Sequence, residues 1–414
     1  MIEKFITLAI FFACYALALS RKVRIAYVSL ASMGLLILLG VVSPQVAFFT
    51  TIKWDVLGIY WGFMMVSMIF EESRIPALLA VKIIRHAKKE KYAIFLICVL
   101  TAFLSSFMEN VGAVLMVAPI AVALAKKMKS NLFPYMVAVA ISSNAVTTIT
   151  MIADPPSLIL AMQTGMKFFD FYWFQGRLGL GVITFFGVVA ALLSLIVIFR
   201  KMNKAVKAPE EKIDVDYLPL VIFVGGIVAL AFGPYFGISP GMIGVSIGFI
   251  ALAIGKQRRK MVTDFDWNSF FFIMGIFVVV GSLEITGLLN DFVGGIGGLG
   301  ISSPAMMLAI IIWISVAASS FIDNVPYTIL MIPVCNQLAA MMNVNPFLFL
   351  FGMLIGTGIG GNITPVGATV NVFACGILEK NGYKVKFRDY VKISLPFSVI
   401  AVVVCQILLQ FLWI

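Results

Sequence analysis

Histidine is almost missing from this chain of 414 residues: there is one, His86, in a stretch rich in lysine and arginine. With it go most familiar hydrolytic and metal centres. There is no HExxH and no Ser/His pairing, and no GxxxxGK[ST] loop for gripping a nucleotide phosphate. Cysteine is scarce as well. The five, at 14, 98, 335, 375 and 405, are odd in number, contain no CxxC and lie in apolar segments, which excludes a disulfide framework or a structural zinc site. Charge is also low. Only 12% of the residues are charged and 62% are hydrophobic, whereas a water-soluble domain carries roughly a quarter charged residues. Too little polar surface exists to cover a globule in water.

What is present is apolar runs. Stretches 2–20, 25–42, 54–71, 178–199, 217–232, 239–255, 267–289 and 391–413 are nearly free of charge. Most reach the ~20 residues that cross ~30 Å of hydrocarbon as a helix. Regions 133–166 and 346–376 are long enough but have polar, Gly-rich or Pro-rich centres, which reads as two broken helices. Regions 92–125 and 304–342 are each long enough to go in and come back. The expectation is ten spans and two re-entrant hairpins. The first apolar run is followed, not preceded, by Arg21, Lys22 and Arg24, so it reads as a first span and not as a cleavable signal.

The net charge of +11 would suggest nucleic acid in a soluble protein. Its placement argues otherwise. With the N-terminus outside, 26 of the 30 lysines and arginines fall on inner loops, leaving only Lys4, Lys53, Lys167 and Arg177 outside. That is a strong positive-inside signal. It assigns a multi-pass protein of the cell membrane with both termini outside, meeting anionic lipid and not nucleic acid. It also requires both ends of 92–125 to lie inside, so that segment must turn back, whereas 304–342 enters from the other face.

The two halves repeat. Residues 105–120, SSFMENVGAVLMVAPI, lie over 319–334, SSFIDNVPYTILMIPV, with six of sixteen positions identical at an offset of 214. One residue less places Trp54, Gly62 and Glu71 over Trp267, Gly275 and Glu284. Five spans and one hairpin per half make the copies inverted, with 1–199 as the first repeat, 200–216 as a charged cytoplasmic linker and 217–414 as the second. Inverted repeats with broken helices near the midplane are a transporter architecture. The fold expected is therefore an all-α polytopic membrane protein. A catalytic site is not expected.

Ionisable residues at membrane depth mark function. Glu109 and Asp323 occupy equivalent hairpin positions, each followed by Asn (Asn110, Asn324) and Val. A carboxylate–Asn pair at a turn offers oxygens to Na⁺ or a titratable group to H⁺; its plain alternative is a helix cap. Asp154 opens DPPS and either caps the second half-helix or joins the site. Its counterpart in the second copy is Ala368. The first unwound link adds Asn144, Thr147 and Thr148, and the second adds Gly360, Gly361, Asn362, Thr364, Thr369 and Asn371. Half-helix N-termini attract anions and unwound carbonyls attract cations, with close helix packing as the alternative for the glycines. Glu71 and Glu284 read as interfacial, and the run 294–300 as a flexible connection. The GxxxG of Gly58 and Gly62 allows a homodimer.

These motifs resemble the ion transporter superfamily, in particular the ArsB/NhaD-like permeases, a group that includes arsenite-type, P-protein-type and citrate-transporter-like members. The likeness covers nearly the whole chain. It rests on SSFMENVGAVLMVAPI, ADPPS, SSFIDNVPYTILMIP and GGNITPVGATVNVFACGILEKNGYKVKF. It implies an elevator-type transporter without a cofactor, in which a scaffold holds a mobile domain built from both hairpins and both broken helices. Related dicarboxylate carriers have Ser-Asn-Thr at the hairpin tips, binding Na⁺ and carboxylate. Here Glu109-Asn110-Val111 and Asp323-Asn324-Val325 stand there, which favours coupling through titratable carboxylates, with Na⁺ at Asn110 and Asn324 as an option. The Gly-Gly pair and DPPN ending usual in the first broken helix are replaced by Val146-Thr147 and Ser157. The function expected is secondary active transport of a small inorganic anion or oxyacid, such as arsenite, coupled to H⁺ or Na⁺. The alternatives are a sodium–proton antiporter without an anion substrate, and the channel subunit of an arsenical pump driven by a soluble ATPase partner.

Overall fold

The computed structural model describes residues 2–20, 22–206, 214–297 and 301–414. Arg21, the middle of the charged linker and the end of the glycine run at 298–300 lie outside the described residues. The chain is nearly all helix, with one two-stranded ribbon pairing Trp173–Phe174 with Arg177–Leu178. That outcome follows from the solvent, because in hydrocarbon each backbone N–H and C=O must be satisfied within the protein, and a helix does so locally.

Each expected span is a helix, but the lengths are uneven. Among the described residues, five helices are long and apolar enough to cross a bilayer: Asn110–Lys127, Leu180–Ile198, Leu218–Phe236 (its last residues a 3₁₀ turn), Trp267–Ile285 and Phe387–Trp413. Pro44–Thr51 with Trp54–Glu72, bent by 57°, counts as one more. This is fewer than the ten spans expected. The shortfall lies in shorter apolar helices such as Ile25–Leu38 and Pro240–Ile254, and in the broken elements. Asn110–Lys127 qualifies by length yet is one arm of a hairpin. Two short helices absent from the sequence reading, Ile75–Ile84 and Leu288–Gly297, occupy equivalent places ahead of the two hairpins.

Hydrogen bonds at the hairpin mouths define their direction. The first hairpin, Glu90–Ser105 and Asn110–Lys127, is held at both ends by one strand of chain. Glu90 N–H donates to Lys204 O and Lys91 N–H to Met202 O, both at 3.0 Å. From the same strand, Lys204 Nζ donates to Met128 O (3.1 Å), Lys129 O (2.8 Å) and Ser130 Oγ (3.0 Å). Residues 202–204 follow the C-terminal end of Leu180–Ile198. The second hairpin, Pro304–Ser319 and Asn324–Met341, is tied to the other end of that helix. Asn345 Nδ2 donates to Gln175 Oε1 at 2.7 Å, and Gln410 Nε2 to Ala305 O at 3.4 Å; Arg177 and Trp413 lock the same corner through Leu412 O and Leu178 O. Both hairpins therefore return to the face they enter from, and they enter from opposite ends of Leu180–Ile198.

A second body consists of two symmetric crossings. Trp54–Glu72 packs on Pro240–Ile254, and Trp267–Ile285 packs on Ile25–Leu38. Asp55 Oδ1 accepts from Ser239 Oγ and Gly241 N at the start of one partner helix, both at 3.0 Å. Its counterpart Asn268 accepts from Ala26 N at 3.2 Å at the start of the other. Small residues let these backbones approach, because packing and not hydrophobicity drives helix association in lipid. A Cβ on Gly62 would lie 1.8 Å from Gly244 O, and one on Gly58 2.8 Å from Gly241 O. The GxxxG that allowed a homodimer is thus spent inside the chain. We expect Gly62→Ala to cost at least about 2 kcal/mol through overpacking, read as a lowered thermal midpoint. Gly34→Ala, where nothing lies within 4 Å, should leave the midpoint unchanged or raise it.

Candidate functional site

The hairpin tips meet. Glu109 and Asp323 each begin the returning helix of their hairpin, and both act as caps: Glu109 Oε2 accepts from Gly112 N at 2.9 Å and Asp323 Oδ1 from Val325 N at 3.0 Å. The capping role foreseen as the plain alternative is therefore filled, and the same carboxylates also line a cavity of about 110 Å³. Asn110, Asn144, Asp154, Asn324 and Thr369 line it too. Asp154 makes no capping bond to the helix Pro155–Thr164 that it precedes, so its carboxylate is left to the cavity.

Two of the titratable lining residues were not foreseen. Asp266 caps Trp267–Ile285 by accepting from Ser269 N at 3.0 Å, and it adds a fourth carboxylate. Tyr60, from Trp54–Glu72, lies beside it. The signal for Asp266 was its position at the start of a span, next to Trp267; it was overlooked because its counterpart in the first repeat is Lys53, which breaks the symmetry used as a guide. No lysine or arginine lines this cavity among the described residues.

The remaining candidates form the frame around the cavity. The first unwound link, 145–154, is buried almost throughout, whereas the second, 361–368, is buried in part with Val366 exposed, and side-chain to backbone bonds fasten both. Thr150 donates to Ser106 O, and its counterpart Thr364 donates to Ser320 O at 2.5 Å. Ser157 ties the second half-helix back to Thr147 O at 2.6 Å, and its counterpart Asn371 reaches Gly361 O at 2.8 Å and Thr364 O at 2.9 Å. Asn131 and Asn345, again 214 apart, cap the first half-helices Leu132–Asn144 and Pro346–Gly360 through Phe133 N and Phe347 N. Asn144 joins the two halves, donating to Gly358 O at 3.0 Å and Asn362 Oδ1 at 3.1 Å while accepting from Asn110 Nδ2 at 3.4 Å.

Several of the expected ligands lie outside the lining of this cavity. Thr148 faces away from the cavity and pairs with Thr184 at 2.8 Å. Thr147 packs against Gly358, where an added Cβ would sit 2.4 Å from its Oγ1. Gly360 serves close packing, since a Cβ there would lie 2.6 Å from Val316 O. Gly361, Asn362, Thr364 and Asn371 do not line the cavity either; they hold the second link. Thr150 was missed, although it lies over Thr364 at the repeat offset and forms the same bond.

Two hairpins from opposite faces, meeting at a carboxylate-lined cavity between two broken helices, define a membrane transporter. The comparisons with known proteins agree. Residues 15–353 match the family model described as Citrate transporter, and the chain belongs to that family. An uncharacterized transporter of Mycobacterium tuberculosis is 26% identical over 99% of this chain and 98% of its own length. The human P protein is 23% identical over 96% of this chain, which spans 58% of that protein. Among solved structures, the YdaH transporter of Alcanivorax borkumensis shares the fold, with a TM-score of 0.60 at 11% identity, covering 91% of this chain and 87% of that one.

Asn144 is the joint most exposed to test. Replacing it with alanine removes three bonds and strands buried partners, at about 1 kcal/mol per bond or more. Asn144→Ala should lower the thermal midpoint clearly, whereas Asn381→Ala, at a part-buried helix end, should do so much less.

Proposed function

We propose that the chain is a secondary active transporter that moves a small inorganic anion or oxyacid together with, or in exchange for, H⁺ or Na⁺. The observation that carries this reading is the cavity between the hairpin tips, lined by Glu109, Asp154, Asp266 and Asp323 and by no basic side chain among the described residues. Uncompensated charge is costly away from water. A solute anion therefore enters this cavity only in protonated form or with cations, and the carboxylates are the groups that take up and release them. Asn110, Asn324 and the uncapped starts of Pro155–Thr164 and Thr369–Lys380 supply neutral oxygens and N–H groups for the solute. The division into a crossed-helix scaffold and a body of hairpins and broken helices supports elevator-like movement of the second body. The lysine and arginine distribution supports termini on the outer side of the cell membrane.

A second reading draws on the same acids. With no base in the cavity, a sodium–proton antiporter using Glu109, Asp154 and Asp323 as its cation path needs no anion at all. Proteoliposome flux separates the two. With citrate and arsenite as probes, an imposed pH or Na⁺ gradient should drive uptake, and Asp323→Asn and Glu109→Gln should each reduce it by at least about tenfold, or ~1.4 kcal/mol. Unchanged gradient-driven uptake in Asp323→Asn would remove the coupling role. A change of internal pH on adding Na⁺ or Li⁺ with no anion present would replace the anion reading with the antiporter.

A further inference from the structure

The carboxylate cavity is not isolated. It shares Ile25, Phe272, Asp323 and Thr369 with a larger cavity of about 450 Å³. That larger space is walled by the end of the first helix (Cys14, Tyr15), by Lys22 and Arg24, and by Asn268. Its other wall is the tip of the second hairpin with the start of Thr369–Lys380. Lys22 and Arg24 are exposed at its rim, and Asp323 is the one carboxylate lining it among the described residues. At the other end of the molecule, the pocket of about 600 Å³ holding Lys53, Gln163, Glu284 and Asn336 shares no residue with the carboxylate cavity. The carboxylate cavity thus adjoins the space at the Lys22 and Arg24 end, and a small pocket of about 30 Å³ beside Glu109 and Asp154, but not the Lys53 pocket.

Tyr15 fixes one wall of the space at the Lys22 and Arg24 end. Its hydroxyl donates to Pro326 O at 2.8 Å, joining the first helix to the first turn of the returning hairpin arm. The wall is otherwise apolar, with Ile25, Phe272, Ile276, Phe321 and Val372. A wet cleft with low-dielectric walls and charge of one sign at its rim focuses the field and concentrates counter-ions. The two ends of this space therefore differ in sign, with bases at the rim and acids at the floor.

We propose that Lys22 and Arg24 form an anion-selecting vestibule: a solute reaches the protein as an anion, is concentrated at this rim, and acquires its proton or cation only at the carboxylate floor. The proposal rests on the transporter reading for its purpose. Its electrostatic content stands apart from that reading, and the experiment keeps the two separate.

Val372, half-exposed on the vestibule wall, supplies the reporter. In the full chain carrying Cys14→Ser and Cys375→Ser, Val372→Cys is labelled in detergent with anionic, cationic and neutral methanethiosulfonate reagents. The remaining thiols, Cys98, Cys335 and Cys405, are fully buried. The neutral reagent reports access alone. The anionic reagent should outpace the cationic one, and Lys22→Gln with Arg24→Gln should lower that ratio by about tenfold with the neutral rate unchanged; high salt should have the same effect. A ratio near one, or one insensitive to both substitutions, overturns the proposal. Citrate uptake is measured on the same variants without the reporter. A raised KM with kcat preserved, restored by Arg24→Lys, supports selection at the rim. A selective vestibule in a protein that moves neither citrate nor arsenite would count against the anion-transport reading and leave the vestibule standing.

Discussion

The structure depends on satisfying unwound backbone deep inside the protein. Two helices break between their halves, and each break leaves carbonyl and N–H groups that hydrocarbon cannot solvate. The repair is made twice with the same parts. Ser157 and Asn371 donate to link carbonyls at Thr147 and Gly361, and from the links Thr150 and Thr364 in turn donate to the carbonyls of Ser106 and Ser320 at the hairpin turns. Each link is thereby fastened to a hairpin tip. The carboxylates at those tips owe their positions to this fastening, so the frame that allows the helices to break also places the chemistry.

The two bodies differ in their polar contacts. In the crossed-helix body, glycines bring backbones into contact, and Asp55 and Asn268 each cap the helix their own helix crosses. The hairpin body also uses close-packed glycines such as Gly356 and Gly360, and adds polar contacts that pass through Asn144 from one repeat to the other. Between the bodies, contacts include Tyr15 on Pro326 and the packing of Trp54–Glu72 on Pro155–Thr164. The linker touches both: residues 202–206 pair with 88–91 beside the first hairpin, while Asp216 N–H donates to Ser73 O on the other body. Asp216 also accepts from Leu218 N and Lys256 Nζ, which hold its carboxyl below its usual range.

Much of this was legible in the chain. Basic clusters at both ends of 92–125 required a return to the same face, and the Lys204 bonds show that return. The paired ENV and DNV turns located the tips. Legibility failed in two ways. Polar residues in the links looked like ligands because side-chain oxygens and amides read the same whether they meet a solute or a neighbouring protein group; Thr364 and Asn371 meet carbonyls, Thr148 the hydroxyl of Thr184 and Asn362 the amide of Asn144. Asp266 was overlooked for the opposite reason, since it has no acidic partner at the repeat offset.

By itself the sequence determined the solvent and the duplication, and the placement of its charges is what the proposed orientation rests on. Hydrophobic runs, charge placement and a recurring motif are local properties, and each acts through the bilayer or through ancestry without any knowledge of contacts. Tertiary structure alone decided which polar groups face the cavity and which brace it, that Gly58 and Gly62 are consumed within the chain, and that the Lys22 and Arg24 rim opens onto acids contributed by distant segments. These outcomes depend on which surfaces are brought within hydrogen-bond and van der Waals range. Residues such as Arg24, Glu109, Asp266 and Asp323 are far apart along the chain, and only the packing of two inverted copies makes them neighbours.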